Sequence, residues 1–253
     1  MSGTVPVPVE VAGGELEVLD LPGDPDRSPV ILLHEGLGSI ELWRHFPVAL
    51  QQATQRRLIV YSRHGHGRSA PPAQPRTPAF FEDEARRVLP ALGERLGVRS
   101  PILLGHSDGA SIALIHAAHH PVDGLVLLAP HVFVEEVTVR AIAETRETYL
   151  RGDLRERLGR YHDDPDAAFW GWCDVWLDPA FRGWDLEADV ARVTAPTLLI
   201  QGADDPYGSL EQLDRIQVRV PEARRLVLPG GHSPHLEHGA AVVEAVAGFV
   251  AGL

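Results

Sequence analysis

The chain has 253 residues, 44% hydrophobic and 23% charged, which fits one globular α/β domain with an insertion and excludes disordered and fibrous classes. Its 35 acidic against 23 basic side chains give a net charge of −12; a phosphate backbone or an anionic membrane surface is repelled, so neither nucleic acid nor a membrane is expected as partner. A single cysteine, Cys173, allows neither an internal disulfide nor a thiolate zinc site, and its Trp172 and Asp174 neighbours suggest a packed thiol. The N-terminal stretch has no basic leader pattern, and no run reaches the roughly 18 apolar residues that span a bilayer. A soluble, cytoplasmic protein is the expectation, with homodimerisation left open.

In chain order, residues 5–11 and 15–21 flank Gly13-Gly14 and predict an antiparallel hairpin at a sheet edge. Buried-strand patterns follow at 30–34, 58–61, 102–105, 124–128, 197–201 and 225–228. Helical spacing covers 41–54 and 80–96; in the second, Phe81, Ala85, Val88, Leu89, Leu92 and Leu96 line one face. Val242, Val243, Val246, Phe249 and Val250 do the same for a C-terminal helix. This alternation predicts an α/β fold: about eight strands in a mostly parallel sheet with helices on both faces. One stretch, 131–194, breaks the rhythm. It has no strand-like run, a charged helical pattern over 138–159, and four of the five tryptophans, Trp170, Trp172, Trp176 and Trp184. The reading is a helical cap inserted into a core domain made of 1–130 and 195–253, its indoles either lining a pocket or stapling the cap down.

The sharpest chemical signal is Gly105-His106-Ser107-Asp108-Gly109, between a strand and the helical run 110–118. Glycines on both sides of Ser107 permit a turn tight enough to lift its hydroxyl clear of the sheet, which makes Ser107 the candidate nucleophile. A serine hydroxyl needs a base and an orienting carboxylate. Strand 197–201 leads into Asp204-Asp205, and strand 225–228 leads into Gly230-Gly231-His232-Ser233-Pro234-His235. Both loops fall at the carboxyl edge of the sheet, where open α/β folds build their sites. Gly65-x-Gly67-x-x-Ala70 imitates a dinucleotide fingerprint, but Pro71, Pro72 and Pro75 forbid the helix it must open. His64-x-His66 lacks the acidic continuation of a metal pair, so no cofactor and no metal are expected. Of thirteen histidines, His131 is placed near the pocket, while His45, His116, His162 and His238 read as surface or satisfied core groups.

These motifs resemble the α/β-hydrolase superfamily, over essentially the whole chain. The resemblance implies Asp205 as the acid, with Asp204 in reserve, and His232 as the base, from Gly231-His232-Ser233-Pro234-His235-Leu236-Glu237. It also implies an oxyanion hole made by the backbone N–H groups of Asp108 and of a residue in Leu33-His34-Glu35-Gly36-Leu37-Gly38-Ser39. Counting from His34 gives Gly36; Glu35 stands where the family has glycine, so Glu35 and Leu37 are the alternative donors. A carboxylate there opposes a developing anion, and Glu35 is expected to point away or to pair with an Arg or His. Glu35, His131, Trp170, Trp172 and Trp176 are the candidate pocket residues. Ser107 at the elbow excludes the alkyl-ester branches of the superfamily, which use aspartate. A serine hydrolase of small carboxylic esters or lactones, working through an acyl-enzyme, is the first expectation. C–C bond hydrolysis of ring-cleavage products, a menaquinone-synthase-like lyase, and a non-catalytic ligand receptor are the alternatives.

Overall fold

The computed structural model describes residues 5–11 and 13–253. Strands β1 (Val7–Val11) and β2 (Gly14–Leu21) form the edge hairpin. They are followed by β3 (Val30–Leu33), β4 (Leu58–Tyr61), β5 (Ile102–His106), β6 (Gly124–Leu128), β7 (Thr197–Gly202) and β8 (Arg224–Leu228). The sheet order is β1-β2-β4-β3-β5-β6-β7-β8. β2 pairs antiparallel with β4, and β3 to β8 are parallel throughout. Eight mostly parallel strands are what the alternating pattern predicts.

The period of two along each strand splits the core into two layers. Ile31, Leu33, Ile59, Tyr61, Leu103, Leu125, Leu127 and Leu199 face one layer. Val30, Leu32, Leu58, Val60, Ile102, Leu104, Val126, Leu128, Leu198 and Ile200 face the other. Helix α1 (Phe46–Thr54) begins five residues later than the helix expected over 41–54. A 3-10 turn at Ile40–Trp43 and Arg44 at φ 55° precede it. Pro47 is the physical reason: in one unbroken helix its ring would strike the Trp43 carbonyl. Likewise α2 (Phe80–Asp83) passes through a π-helical turn, Glu84–Val88, into α3 (Leu89–Leu96). Pro90 cannot donate to the Arg86 carbonyl, and the wider turn just before it accommodates the ring.

Helix α4 (Asp108–Ala117) leaves β5 directly. Between β6 and β7 come α5 (Glu136–Arg151), α6 (Leu154–Leu158), α7 (Pro165–Leu177) and α8 (Glu187–Val190). Among the described residues of this segment the only strand-like pairing is a single Phe133–Asp185 bridge. Its buried Tyr149, Phe169, Trp172, Trp176 and Phe181 join the same apolar layer as one face of the sheet, so the insertion has no separate core. Helices α9 (Glu211–Arg219), α10 (Pro234–Glu237) and α11 (Gly239–Val250) complete the chain, and α11 packs with α1 against the second layer. Because β4 and β5 lie on opposite sides of β3, the connections diverge there. A crevice opens beyond the carboxyl ends of β3 and β5, the usual ligand position in such sheets.

Candidate active site

Ser107 stands at the end of β5 with φ 54° and ψ −119°, a conformation that costs a non-glycine residue about 1–3 kcal/mol. Its neighbours have to be glycine for a steric reason. A Cβ on Gly105 would lie 2.2 Å from the Gly109 carbonyl oxygen, and one on Gly109 would lie 2.1 Å from the Leu33 carbonyl oxygen. The Ser107 N–H donates to the Leu128 carbonyl at 2.9 Å, which anchors the turn to β6.

The carboxylate that meets an imidazole is Asp205, not Asp204. His232 Nδ1 donates to both Asp205 oxygens, at 2.8 and 2.9 Å, and Asp205 also accepts the Tyr207 N–H at 2.8 Å. The Asp205 side chain is 1% exposed, whereas Asp204 faces solvent. Burial pushes the Asp205 carboxyl up, but the His232 hydrogen bond and charge together with the Tyr207 amide outweigh it and hold it below its ordinary value. Tyr207 and His131 flank the His232 ring at 4.9 and 5.7 Å between centroids. From β5, His106 Nε2 bonds the His232 carbonyl at 2.7 Å, so the strand that carries Ser107 also braces the histidine loop. Ser107 and His232 line one cavity; among the described residues they are not joined by a hydrogen bond.

The loop after β3 is held by its carbonyls. Arg63 donates its backbone N–H to His34 Nε2 at 3.0 Å, which leaves His34 Nδ1–H to donate to the Glu35 carbonyl at 2.6 Å. Arg63 Nη2 reaches the same carbonyl at 2.8 Å, and its Nη1 bonds the His34 carbonyl. Arg76 donates to His66 Nδ1 at 2.8 Å, so His66 Nε2–H donates to the Gly36 carbonyl at 2.9 Å. His162 Nε2 lies 2.9 Å from the Leu37 carbonyl. The Leu37 N–H is taken by the Glu35 carboxylate, which removes Leu37 as an alternative donor. Among the described residues the Glu35, Gly36 and Asp108 N–H groups have no protein acceptor, so Glu35 stays open beside Gly36 as the donor from this loop. Glu35 departs from expectation: it neither points away nor pairs its carboxylate with an Arg or His. Its carboxylate folds back on its own loop and lines the cavity.

That cavity, about 220 Å³, is walled by Glu35, Gly36, Ser107, Asp108, His131, His232 and Tyr207 from the sheet side. Ile142 of α5 and Trp172 and Trp176 of α7 close it from the insertion. Trp172 presses on the β3 loop so closely that a Cβ on Gly36 would lie 2.2 Å from its Cδ1. Trp176 Nε1 donates to Asp108 Oδ1 at 3.1 Å. Trp170, also expected in the pocket, is elsewhere: it packs edge-on to Tyr149 and Phe169, under Arg146. Helical spacing explains the correction, since Trp172 and Trp176 are four apart on one face while Trp170 is turned away from both.

Residues 30–245 match the alpha/beta hydrolase family. The chain belongs to that family. A (lyso)-N-acylphosphatidylethanolamine lipase from Bos taurus is 36% identical over 107 residues, 42% of this chain and 31% of that protein. The chain thus spans about a third of the length of that relative. Serine hydrolase BPHL from Mus musculus is 27% identical over 224 residues, 82% of this chain and 74% of that protein. The crystal structure of a hydrolase from Pseudomonas aeruginosa PA01 superposes with a TM-score of 0.77 at 24% identity, covering 99% of both chains, a likeness of fold.

In this α/β hydrolase several buried ionisable groups line the cavity. Burial raises the Glu35 and Asp108 carboxyls, against the opposing Leu37 amide and Arg63 at Glu35 and Arg63 and Trp176 at Asp108. Burial also lowers His131 to about 3, so its imidazole is neutral. Cys173 is buried and its thiol is pushed up to about 11, which removes it as a nucleophile. No helix among the described residues is long and apolar enough to cross a membrane. His34, His66, His106 and His162 brace the site without any sequence motif that assigns them this role. His106 was inside the elbow motif, and His34 and His66 were inside the motifs quoted for the two loops, but nothing in their spacing shows that they converge on one another. For His162 no sequence signal existed.

Proposed function

We propose that this α/β hydrolase is a serine hydrolase of small carboxylic esters or lactones, working through an acyl-enzyme on Ser107. The observation that carries the reading is that the strained Ser107 turn and the Asp205-paired His232 share one cavity with two backbone N–H groups lacking protein acceptors. With Nδ1–H committed to Asp205, His232 Nε2 is the basic nitrogen. It takes the Ser107 proton as Oγ attacks the carbonyl carbon; such bonds often tighten only once substrate is bound. The tetrahedral oxyanion is held by the Gly36 and Asp108 N–H groups. The imidazolium then protonates the leaving group, and water deprotonated by the same nitrogen releases the acid and restores Ser107. The lipase and serine hydrolase relatives support acyl chemistry.

The helices between β6 and β7 act as the cap over this site, with Trp172 and Trp176 as its roof. A cavity of about 220 Å³ is below the ~300 Å³ typical of sites for drug-sized ligands, which favours a small substrate. A fluorophosphonate probe tests the reading: the native protein is labelled and Ser107→Ala is not. Absence of labelling of native protein favours the receptor alternative and defeats the proposal. Turnover of matched short esters and lactones is then compared with that of a vinylogous 1,5-diketone. A diketone rate that dwarfs the others moves the assignment to C–C bond hydrolysis.

A further inference from the structure

His162 lies in the insertion, between α6 and α7, yet it is 1% exposed and bonds two core loops at once. The Gly67 N–H donates to its Nδ1 at 3.0 Å, so Nδ1 carries no proton and Nε2–H donates to the Leu37 carbonyl at 2.9 Å. Both ring nitrogens are committed, and the neutral tautomer is fixed by its partners. The neighbouring Asp163 N–H returns a bond to the Gly67 carbonyl at 3.0 Å, and Arg68 pairs with the Asp163 carboxylate. The segment is therefore attached firmly enough to hold a loop rather than merely touch it.

What the ring holds matters because a peptide group is planar and trans, so its C=O and N–H point in opposite directions. In the Leu37–Gly38 peptide, the carbonyl is bound by His162 and the N–H donates to the Glu35 carbonyl at 3.0 Å. The Glu35 carbonyl belongs in turn to the Glu35–Gly36 peptide, whose N–H is the one assigned above to the oxyanion. Two linked peptides thus run from the His162 ring to the Gly36 N–H. We propose that His162 is a positioning residue, supplied by the insertion, that aims the Gly36 N–H at the oxyanion through the Leu37–Gly38 peptide. Seating of the inserted helices and completion of the oxyanion site are then one event. His34 and Arg63 hold the Glu35 carbonyl from the core side; from the insertion, Trp172 packs on Gly36 and His162 supplies the hydrogen bond to the Leu37–Gly38 peptide.

The inference rests on the serine hydrolase reading, and the experiment separates the two. His162→Asn places an acceptor where Nδ1 is, so it keeps the Gly67 bond, but it is too short to reach the Leu37 carbonyl. His162→Gln places an amide N–H where Nε2 is and restores that reach. Steady-state kinetics on a short-chain ester are paired with the affinity of an alkylboronic acid, whose tetrahedral adduct on Ser107 puts an oxygen in the oxyanion site. Deleting a whole oxyanion donor costs about 10²–10³ in kcat, and misaiming one is expected to cost on the order of tenfold or more. His162→Asn should therefore lose at least about tenfold in kcat and in boronate affinity with KM within about threefold, and His162→Gln should recover most of both. An Asn variant with unchanged kcat and boronate affinity, or a Gln variant as impaired as the Asn variant, overturns the inference. Should the Asn variant not fold, His162→Leu, which also lacks the Leu37 bond, replaces it with the same two readings. Wild-type protein that neither reacts with fluorophosphonate nor binds boronate instead fails the hydrolase reading itself.

Discussion

At the scale of single residues, the neighbouring acids Asp204 and Asp205 separate cleanly. Asp205 is buried against the His232 ring, and Asp204 meets its surroundings through its backbone N–H, 2.9 Å from the Gly230 carbonyl, with the residue exposed. Asp205→Asn offers an amide that can donate to Nδ1, favouring the wrong tautomer and leaving no stabilised imidazolium. A loss of about 10³–10⁴-fold in kcat with the fold intact is expected. Asp204→Asn should leave kcat within about twofold, as surface changes usually do. Equal damage from both substitutions would reassign the acid. The sequence made Ser107 legible because steric demand writes glycines around it. It left the choice of acid to resemblance, since two adjacent carboxylates on a turn differ only in where the chain points them. The Glu35 carboxylate differs from expectation for a related reason. A local bond to the Leu37 N–H, two residues away, won over the distant partner that charge alone suggested.

At the scale of elements, α7 decides the shape of the site. Its apolar content identifies a buried helix, but composition does not separate Trp170, Trp172 and Trp176; only the helical register distinguishes them. Trp172 sits against Gly36, and Trp176 donates to Asp108, so one face of α7 touches both proposed oxyanion loops. Trp170 instead ties α7 to α5 through Tyr149 and Arg146. Trp172→Ala should therefore lower kcat/KM by more than about tenfold, by enlarging the cavity and freeing the Gly36 loop. Trp170→Ala should lower Tm by several degrees, about 2–4 °C per kcal/mol lost, with kcat/KM within about threefold. Thermal melts and ester kinetics on both variants check this, and a kinetic defect in Trp170→Ala as large as that of Trp172→Ala would contradict the register argument. The strands were legible because buried parallel strands read as continuous apolar runs. The helix breaks at Arg44 and before Pro90 were not, although Pro47 and Pro90 carried the signal for both.

For the whole molecule, the buried imidazoles set the response to acid. Burial lowers His34, His66 and His106 well below their ordinary value, His116 to about 4, and His131 and His235 to about 3. In the unfolded chain each would titrate near ~6.5. Below that pH the unfolded state binds more protons than the native one, so native stability falls as pH falls toward the lowered native values. A ring whose native value lies near 3 or 4, as for His116, His131 and His235, costs about 2 kcal/mol by pH 5. Those three alone are a large part of the ~5–15 kcal/mol that stabilises a domain, and His34, His66 and His106 act in the same direction. Asp205, held low by His232, adds to the loss at still lower pH, as its carboxylate is protonated. Glu35 and Asp108 act in the opposite sense: their raised values mean that the native state gains relative stability as pH falls through the range just above that of ordinary carboxylates. Two carboxyls do not offset six imidazoles, so Tm should be flat above about pH 7 and fall steeply below ~6.5, with acid unfolding centred near about pH 5. Circular dichroism melts between pH 4 and 8 measure it directly. His235→Phe, which keeps an aromatic ring against Trp43 and Phe46, should make the decline shallower, and a Tm that stays level down to pH 5 would mean that the native protein protonates these rings without unfolding.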